Sequence, residues 1–259
     1  MTIKVMTFNI RCRVKGDGIN IFENRAPKVL SAIFEELPDL IGFQEVTDYQ
    51  RNFLHENLSE KYTLLGCGRE ANYRGEAVCI AFRKDLFELL SFDTFWLSDT
   101  PTVAGSRYET LDQSIYPRLA VHTTLVSKEL DSPLHFFNTH LDHSGEKARI
   151  YGIREIIGKI ATEKGYFVLT GDFNATPCSD VIAEIKNQKL FECNEATENV
   201  SSTFHGYGKI DYDCKIDYIF TNKSSKSAYI VERPSDDGIF ISDHHPVCAM
   251  ISLDIEDKN

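Results

Sequence analysis

Short apolar segments with the composition of β-strands recur from one end of the chain to the other, and this pattern most constrains the fold. Only two long segments, residues 26–37 and 148–160, have the spacing of amphipathic helices. Shorter helices are predicted at 48–58, with Asp48 as N-cap, and at 179–186. Because strands outnumber helices and each long helix has one apolar face, we expect an α/β fold with two face-to-face β-sheets and helices outside. Strands are predicted at residues 3–10, 40–44, 77–82, 89–97, 119–126, 134–138, 166–170, 216–221, 229–233 and 247–253.

The composition is that of a folded globular protein. Hydrophobic residues make up 42% of the 259 residues and charged residues 26%. No linker, fixed-period repeat or low-complexity tract interrupts the sequence, so we expect one domain over residues 1–259. Residues 98–116 have few regular signals and are predicted to form an exposed loop.

The net charge disfavours one class of nucleic-acid-binding protein. The 28 basic and 39 acidic residues give a formal charge of −11 at pH 7. A surface of this sign repels polyanions, which argues against a protein that coats nucleic acid non-specifically. An enzyme that binds phosphate through a metal ion remains compatible with it.

The cysteines and the apolar segments bear on the expected location. The seven cysteines are scattered and contain no C-x-x-C pair, so we expect reduced thiols in a reducing compartment. No signal-peptide core opens the sequence, and no apolar stretch approaches the roughly 18–20 residues of a membrane span. A cytoplasmic protein without a membrane span is predicted, and no obligate protein partner is inferred.

Polar residues directly follow or precede many of the predicted strands. Such positions group at the rim of a sheet, where side chains from distant parts of a sequence converge. Mg²⁺ takes few protein ligands, prefers oxygen and keeps water molecules, and Glu45 with Asn9, Asp172 or Asp243 nearby suits that demand. The polar residues at strand ends are Asn9, Glu45, His140, Asp142, Asp172, Asn174, Asp217, Asp243 and His244.

Six blocks of the sequence combine these residues in a specific order. The blocks are Met6–Ile10, Gly42–Val46, Asn138–Asp142, Thr170–Asn174, Lys215–Phe220 and Ser242–Val247. In composition and order they resemble the signature blocks of the endonuclease/exonuclease/phosphatase superfamily, over nearly the whole chain. The resemblance implies a four-layered, DNase I-like α/β sandwich with two central mixed β-sheets flanked by helices. It also implies hydrolysis of a phosphoester with Mg²⁺ or Mn²⁺.

The resemblance assigns roles to matching positions near the metal. It implies that Glu45 is the principal metal ligand, with Asn9 beside it or binding phosphate. Asp172 is implied to orient or activate the attacking water. Asn174 is implied to hold water or a phosphate oxygen.

The histidines and the remaining carboxylates are implied to complete the site. His140 donates to a phosphate oxygen, and Asp217 supports the cluster. The resemblance pairs Asp243, a further catalytic or metal-binding carboxylate, with His244. The family describes the histidine matching His244 as a general base or a phosphate-binding imidazolium. Adjacent side chains do not face each other in regular structure, so the sequence leaves open which carboxylate His244 meets.

Three more positions resemble family segments less specifically. Glu76 follows Gly75 in a segment like the one whose glutamate supports the histidine matching His140. Arg118 is a candidate phosphate clamp, because a guanidinium binds phosphate through two hydrogen bonds. His205 lies in a stretch resembling one that lines the substrate entrance.

Other classes of protein fit less well. A zinc hydrolase of the H-x-H-x-D-H type would have histidine where this chain has Asn138, and zinc prefers nitrogen and sulfur ligands. A dinucleotide-binding enzyme is unsupported, since no G-x-G-x-x-G follows the first strand. A non-catalytic binding protein on the same scaffold would be expected to lack Glu45, Asp172 or His244, and all three are present.

The substrate is less well defined than the chemistry, because the superfamily includes nucleases, phosphatases and sphingomyelinases. The chain has no run of lysine and arginine, as duplex-DNA enzymes would, and the apolar segment 92–96 is short for membrane contact. Residues 95–101 resemble a block of uncharacterised bacterial members. We expect a phosphodiesterase acting on single-stranded nucleic acid or a nucleotide-like substrate. The alternative is a phosphatase of a small phosphorylated metabolite such as an inositol phosphate. Trp96 is expected in the core, although an exposed Trp96 would stack a base.

Overall fold

A computed structural model describes residues 1–109, 112–232 and 237–253. The α-helices of these residues are α1 (Phe22–Glu36), α2 (Asp48–Leu58), α3 (Glu146–Thr162) and α4 (Asp180–Asn187), and a 3-10 helix spans Lys15–Asn20. The strands are β1 (Thr2–Asn9), β2 (Leu40–Val46), β3 (Tyr62–Gly68), β4 (Ala77–Arg83), β5 (Glu88–Trp96), β6 (Leu119–Val126), β7 (Leu134–His140), β8 (Tyr166–Asp172), β9 (Asn194–Glu195), β10 (Asp217–Thr221), β11 (Ser224–Ile230) and β12 (Val247–Ser252). They form two six-stranded mixed sheets, in the orders β11-β12-β1-β2-β4-β3 and β5-β6-β7-β8-β10-β9.

Three buried apolar layers hold the two sheets and the helices together. The middle layer lies between the sheets and includes Val5 and Phe136. The second layer joins the first sheet to α1 and α2, and the third joins the second sheet to α3 and α4. The resulting order of helix, sheet, sheet and helix is the predicted four-layered sandwich.

Each sheet has one parallel strand pair near its centre. β1 pairs with β2 in the first sheet and β7 pairs with β8 in the second, while the other pairs are antiparallel. β5, β6 and β7 follow one another as antiparallel neighbours. Because parallel strands end on the same side, β1, β2, β7 and β8 deliver their C-terminal residues to one edge.

Several local predictions need correction. The N-cap of α2 is Thr47, whose hydroxyl accepts from the Gln50 amide while the Gln50 side chain accepts from the Thr47 amide. Strands β3 and β9 were not predicted, because β3 is half-buried with two glycines and β9 has only two residues. The strand predicted at 229–233 spans residues 224–230 instead, and Arg233 lies outside the described residues.

The cysteines and the helices are described by two findings. All seven cysteines are unpaired. No helix of the described residues is both long and apolar enough to cross a membrane.

A buried polar network joins the two sheets directly beneath the parallel strand ends. Asn138 Nδ2 on β7 donates to the carbonyl oxygens of Phe43 at 2.9 Å and Cys79 at 2.8 Å. Its Oδ1 accepts from Gln44 Nε2 at 2.7 Å and from Thr170 Oγ1 at 3.0 Å. All five residues are fully buried, so water does not replace any bond that is lost.

We predict that Asn138→Ala lowers the free energy of unfolding by about 3 kcal/mol, because two carbonyls and the Gln44 amide lose their partner in the core. Urea denaturation measures the change. The control Asn57→Ala removes an exposed amide that bonds only to the Phe53 carbonyl within α2, and it should cost less than about 0.5 kcal/mol. Equal losses in the two variants would contradict the assigned importance of the network.

Candidate active site

Asn9 connects the ends of strands from both sheets. Its Nδ2 donates to Glu45 Oε1 at 3.1 Å and to Asp172 Oδ2 at 3.0 Å. Its Oδ1 accepts from the Arg11 amide at 2.9 Å. In this orientation Asn9 bridges two carboxylates through its amide hydrogens, and its oxygen faces the protein backbone.

A β-bulge directs Glu45 toward the other strand ends. The register of β2 against β4 shifts between Phe43 and Val46, and Glu45 within this interval has a φ of 60°. Bulges of this kind bend a strand and redirect a side chain, and a positive φ in a residue other than glycine costs free energy. The Cys12 amide then donates to Glu45 Oε2 at 2.9 Å.

Glu45 is held as a carboxylate despite its burial. Burial opposes ionisation, but the Cys12 amide and the positive charges of His244 and Arg11 outweigh it and hold the pKa of Glu45 below its usual range. His140 is itself neutral, because burial and the Arg118 guanidinium lower its pKa. The Cys12 amide and Arg11, 3.8 Å from Oε2, are therefore the contacts that keep Glu45 ionised.

Asp172 has the opposite electrostatic environment. Burial and the neighbouring Asp217 carboxylate raise the pKa of Asp172 to about 7. The Asn174 amide donates to Asp172 Oδ1 at 2.9 Å, and His140 Nε2 lies 3.5 Å from Oδ2. A carboxylate with this pKa exchanges protons readily near neutral pH, as a general base must.

The carboxylate partner of His244 is Asp217. His244 Nδ1 lies 2.9 Å from Asp217 Oδ2, and His244 Nε2 lies 3.8 Å from Asp172 Oδ2. Burial lowers the pKa of His244, but Asp217 and Asp172 outweigh it and the net shift is well upward. Asp243 does not pair with His244 as the resemblance implied: its Oδ1 lies 3.2 Å from Ser242 Oγ and its Oδ2 lies 3.7 Å from Arg11 Nε.

Asn174 follows Asp172 in a left-handed conformation, with a φ of 47°. Its Nδ2 donates to the Leu141 carbonyl at 3.1 Å, which leaves Oδ1 as the atom that can accept from a bound water. Asparagine tolerates this backbone conformation better than most residues.

A basic wall lies beside the carboxylates and is formed by Arg69 and Arg118. Arg69 donates to Glu76 Oε2 at 2.7 Å and stacks over the Tyr116 ring at 4.3 Å. Arg118 is buried, lies 3.4 Å from Asp142 Oδ2 and contacts His143 Nδ1 at 2.9 Å. Each guanidinium is held by a carboxylate, which orients it before any ligand binds.

Buried Arg25 organises the loops next to the site. Its guanidinium donates to the backbone carbonyls of Asn20, Ile10, Ile241 and Arg11 at 2.7 to 3.0 Å. The Ser242 hydroxyl donates to the Asn9 carbonyl at 2.6 Å. The loop after β1 and the loop before β12 are therefore tied together.

These groups face one cavity of about 330 Å³. Six of its lining residues were not among the predicted site residues. Five of them carry no sequence signal beyond their charged or aromatic side chain, and the sixth, Ile216, carries none. Asn9 and Asp217, which were predicted as site residues, do not line the cavity themselves but bond to residues that do, Glu45 and His244. The lining residues are Arg11, Glu45, Arg69, Glu76, Tyr116, Arg118, His140, His143, Asp172, Asn174, Phe204, Ile216, Asp243 and His244.

Of the aromatic residues considered in the sequence, His205 and Trp96 do not line the cavity. His205 is not part of the lining, because its ring packs against His245 and Phe240 and its Nδ1 accepts from the Gly208 amide. Phe204 lines the cavity in its place. Trp96 is buried as expected, and its indole N–H donates to the Arg69 carbonyl at 2.7 Å.

The donor set fits a hard divalent cation. Ligand atoms of Glu45, His140 and Asp172 lie within 4.8 Å of one another, as do those of Asp172, Asp217 and His244. The first group suits a metal better, since His244 in the second is engaged with Asp217 and carries positive charge. Carboxylate oxygens dominate the first group, which matches Mg²⁺ or Mn²⁺.

Comparisons with known proteins identify the family and the fold. A family model described as the Endonuclease/Exonuclease/phosphatase family matches residues 6–244. The crystal structure of an endonuclease/exonuclease/phosphatase from Bacteroides vulgatus is 31% identical, with a TM-score of 0.90 over 98% of this chain and 100% of the other. A mannosyl-6-phosphatase from Bacteroides thetaiotaomicron is 24% identical, with a TM-score of 0.85 over 96% of this chain and 99% of the other, and so shares the fold. An uncharacterised protein of Acanthamoeba polyphaga mimivirus is 27% identical over 77% of this chain and 79% of its own length.

We predict that Asp217→Asn lowers the pKa of His244 in the metal-free protein, because the largest source of negative charge beside the ring is removed. A histidine with a raised folded-state pKa stabilises the fold below its unfolded pKa of about 6.5, and this contribution is lost as pH rises through the folded pKa. The variant should lose that pH-dependent contribution.

NMR titration of the imidazole and urea denaturation across this pH range measure the two effects. The exposed carboxylate of Asp99 provides the control Asp99→Asn, which should leave the titration of His244 unchanged. An unaltered His244 titration in Asp217→Asn would contradict the assigned pair.

Proposed function

The chain belongs to the endonuclease/exonuclease/phosphatase family, and from that premise we propose that it hydrolyses a phosphoester bond with the help of a bound Mg²⁺ or Mn²⁺ ion. One observation carries the proposal. Glu45, His140 and Asp172 converge at one cavity beside the Asp217–His244 pair. Members of this family are hydrolases that act on phosphoester bonds.

Glu45 would be the principal ligand of the metal, in the part of the cavity that it shares with His140 and Asp172. The ion supplies a positive charge that stabilises negative charge on the phosphoryl oxygens. Asn9 bridges the two carboxylates through its amide hydrogens and so fixes their spacing.

The chain's own residues account for the proton and charge requirements of in-line attack. Asp172 accepts a proton from the attacking water, and Asn174 Oδ1 helps to orient that water. His244, held by Asp217, presents its positively charged ring to the developing charge on phosphate. His140 is neutral and donates one further hydrogen bond.

The preferred substrate of this proposal is a phosphodiester of a single-stranded nucleic acid or a nucleotide-like molecule. Tyr116 and Phe204 line the cavity, and the Tyr116 side chain is exposed. Aromatic faces stack on nucleic-acid bases without requiring one sequence.

A second candidate is a phosphatase of a small phosphorylated metabolite, and the basic groups favour it. Arg11, Arg69 and Arg118 all line a cavity of about 330 Å³. A phosphomonoester dianion carries more charge than a diester, and guanidinium groups bind its oxygens well. The volume is also in the range of pockets for small molecules.

We predict that hydrolysis requires Mg²⁺ or Mn²⁺ and is abolished by chelation. The substrates to compare are bis-p-nitrophenyl phosphate, p-nitrophenyl phosphate, and end-labelled single-stranded RNA and DNA. Cleavage of the diester or the oligonucleotides supports a phosphodiesterase, whereas cleavage of the monoester alone supports the phosphatase. Activity that survives chelation would contradict the metal mechanism, and inactivity on every substrate would favour a binding role.

On a substrate that is cleaved, Asp172→Asn and His244→Gln should each lower kcat by about 10³-fold, because each removes a group that acts on the reacting atoms. Glu129→Gln is a matched control, since its exposed carboxylate lies in the turn at the opposite end of β7. Circular dichroism and steady-state kinetics test the fold and the rate. Near-normal turnover in either site variant would contradict the mechanism.

Glu45→Gln should weaken Mn²⁺ binding more than any other single substitution in the cavity, because it removes the most strongly ionised carboxylate of the group. Isothermal titration calorimetry measures the affinity, with Glu129→Gln again as the control. An unchanged affinity would exclude Glu45 as the principal ligand.

A further inference from the structure

A second cluster of metal-binding side chains lies far from the cavity, on the helix-covered face of the second sheet. His122 is on β6, His135 is near the start of β7, and Glu163 is the C-cap of α3. His135 and His140 are five residues apart on β7, which places them roughly 16 Å apart along the strand. The cluster is therefore separate from the site beside His140.

The spacing of the three ligand atoms matches a transition-metal site. His122 Nε2 lies 3.2 Å from His135 Nδ1, and Glu163 Oε2 lies 3.5 Å from the same nitrogen. All three atoms lie within 4.8 Å of one another. Ligands about 2.0–2.1 Å from a tetrahedral Zn²⁺ are separated from each other by about 3.3 Å, close to the two shorter distances.

The surroundings favour the metal-binding form of His135. Its Nε2 lies 3.1 Å from the Lys164 carbonyl, which can only accept, so Nε2 carries the hydrogen. In the neutral ring Nδ1 then carries the lone pair, and His122 Nε2, the Thr124 hydroxyl and Glu163 Oε2 lie 3.2, 3.3 and 3.5 Å from it. A hydrogen bond from the second ring nitrogen to a carbonyl is the usual support of a metal-bound histidine.

His122 is equally suited to bind a metal. Its ring stacks on Phe137, with centroids 4.0 Å apart and an angle of 3° between planes, which fixes its orientation. Burial, the neighbouring His135 and Lys159 lower the pKa of His122 to about 4, so the ring is neutral at pH 7. A neutral imidazole can donate its lone pair to a metal without first losing a proton.

We propose that His122, His135 and Glu163 form a second metal site, selective for Zn²⁺ or a similar transition ion and distinct from the site in the cavity. Two of the three ligands are imidazole nitrogens, which prefer Zn²⁺ to Mg²⁺. The Glu163 side chain is 34% exposed, which gives the ion a path from solvent and room for a water as fourth ligand. Binding ties the C-terminal end of α3 to β6 and β7 and stabilises the folded chain.

The test uses chelator-treated full-length protein titrated with Zn²⁺ by calorimetry. We expect Glu163→Gln to weaken one Zn²⁺-binding step by at least about tenfold and to remove the Zn²⁺-induced rise in Tm. This substitution is at an exposed C-cap, so the fold should persist. The matched control Glu146→Gln alters an exposed carboxylate at the other end of α3 and should leave that step unchanged.

Two further measurements separate this site from the cavity. Glu45→Gln should not affect the Zn²⁺-binding step that Glu163→Gln weakens. Co²⁺ in place of Zn²⁺ should give the intense visible absorption of a four-coordinate site, and Glu163→Gln should reduce it. Absence of Zn²⁺ binding, unchanged affinity in Glu163→Gln, or loss of the step in Glu45→Gln instead would overturn the proposal.

Discussion

The buried hydrogen bonds of Asn138 are the constraint on which the candidate site depends. They join β7 to the backbone of β2 and β4 across an otherwise apolar interface, and so set how the two sheets meet. Gly42 shows how close that contact is, since a Cβ there would lie 2.1 Å from Thr170 Oγ1. Because both parallel strand pairs end just above this network, a shift of one sheet would separate Glu45 from Asp172.

The candidate site brings several carboxylates together in a buried region, where their mutual repulsion costs more free energy than at the surface. Glu45 and Asp172 are bridged by one asparagine, and Asp217 raises the pKa of Asp172 while it holds His244 charged. Arg69 and Arg118 on the adjacent wall are oriented by Glu76 and Asp142, respectively. The cation and the anionic phosphate of the proposed reaction would complement these two halves, and the net charge of −11 does not oppose that proposal.

Sequence patterns predicted individual helices and strands of this protein, but not the contacts between residues that are distant in the sequence. The apolar stripe of α3 and the strand ending in Asp172 were predictable, because local periodicity reflects which face is buried. The partner of His244 was not, since Asp217 is 27 residues away and reaches it only through pairing of β10 with β8. Arg69 was missed for a similar reason, because its position depends on the Trp96 and Glu76 contacts.

The sequence by itself determined the alternation of strands and helices, the four-layered fold and the residue types that can bind a metal and transfer a proton. These depend on local composition and on a family resemblance that extends over most of the chain. Only the tertiary structure decided which of those residues meet and in which orientation. Asn9 turns its amide nitrogen to the carboxylates, Asp243 faces Arg11, and His205 packs outside the cavity. Such outcomes depend on bulges, strand register and contacts between distant segments, which no local pattern encodes.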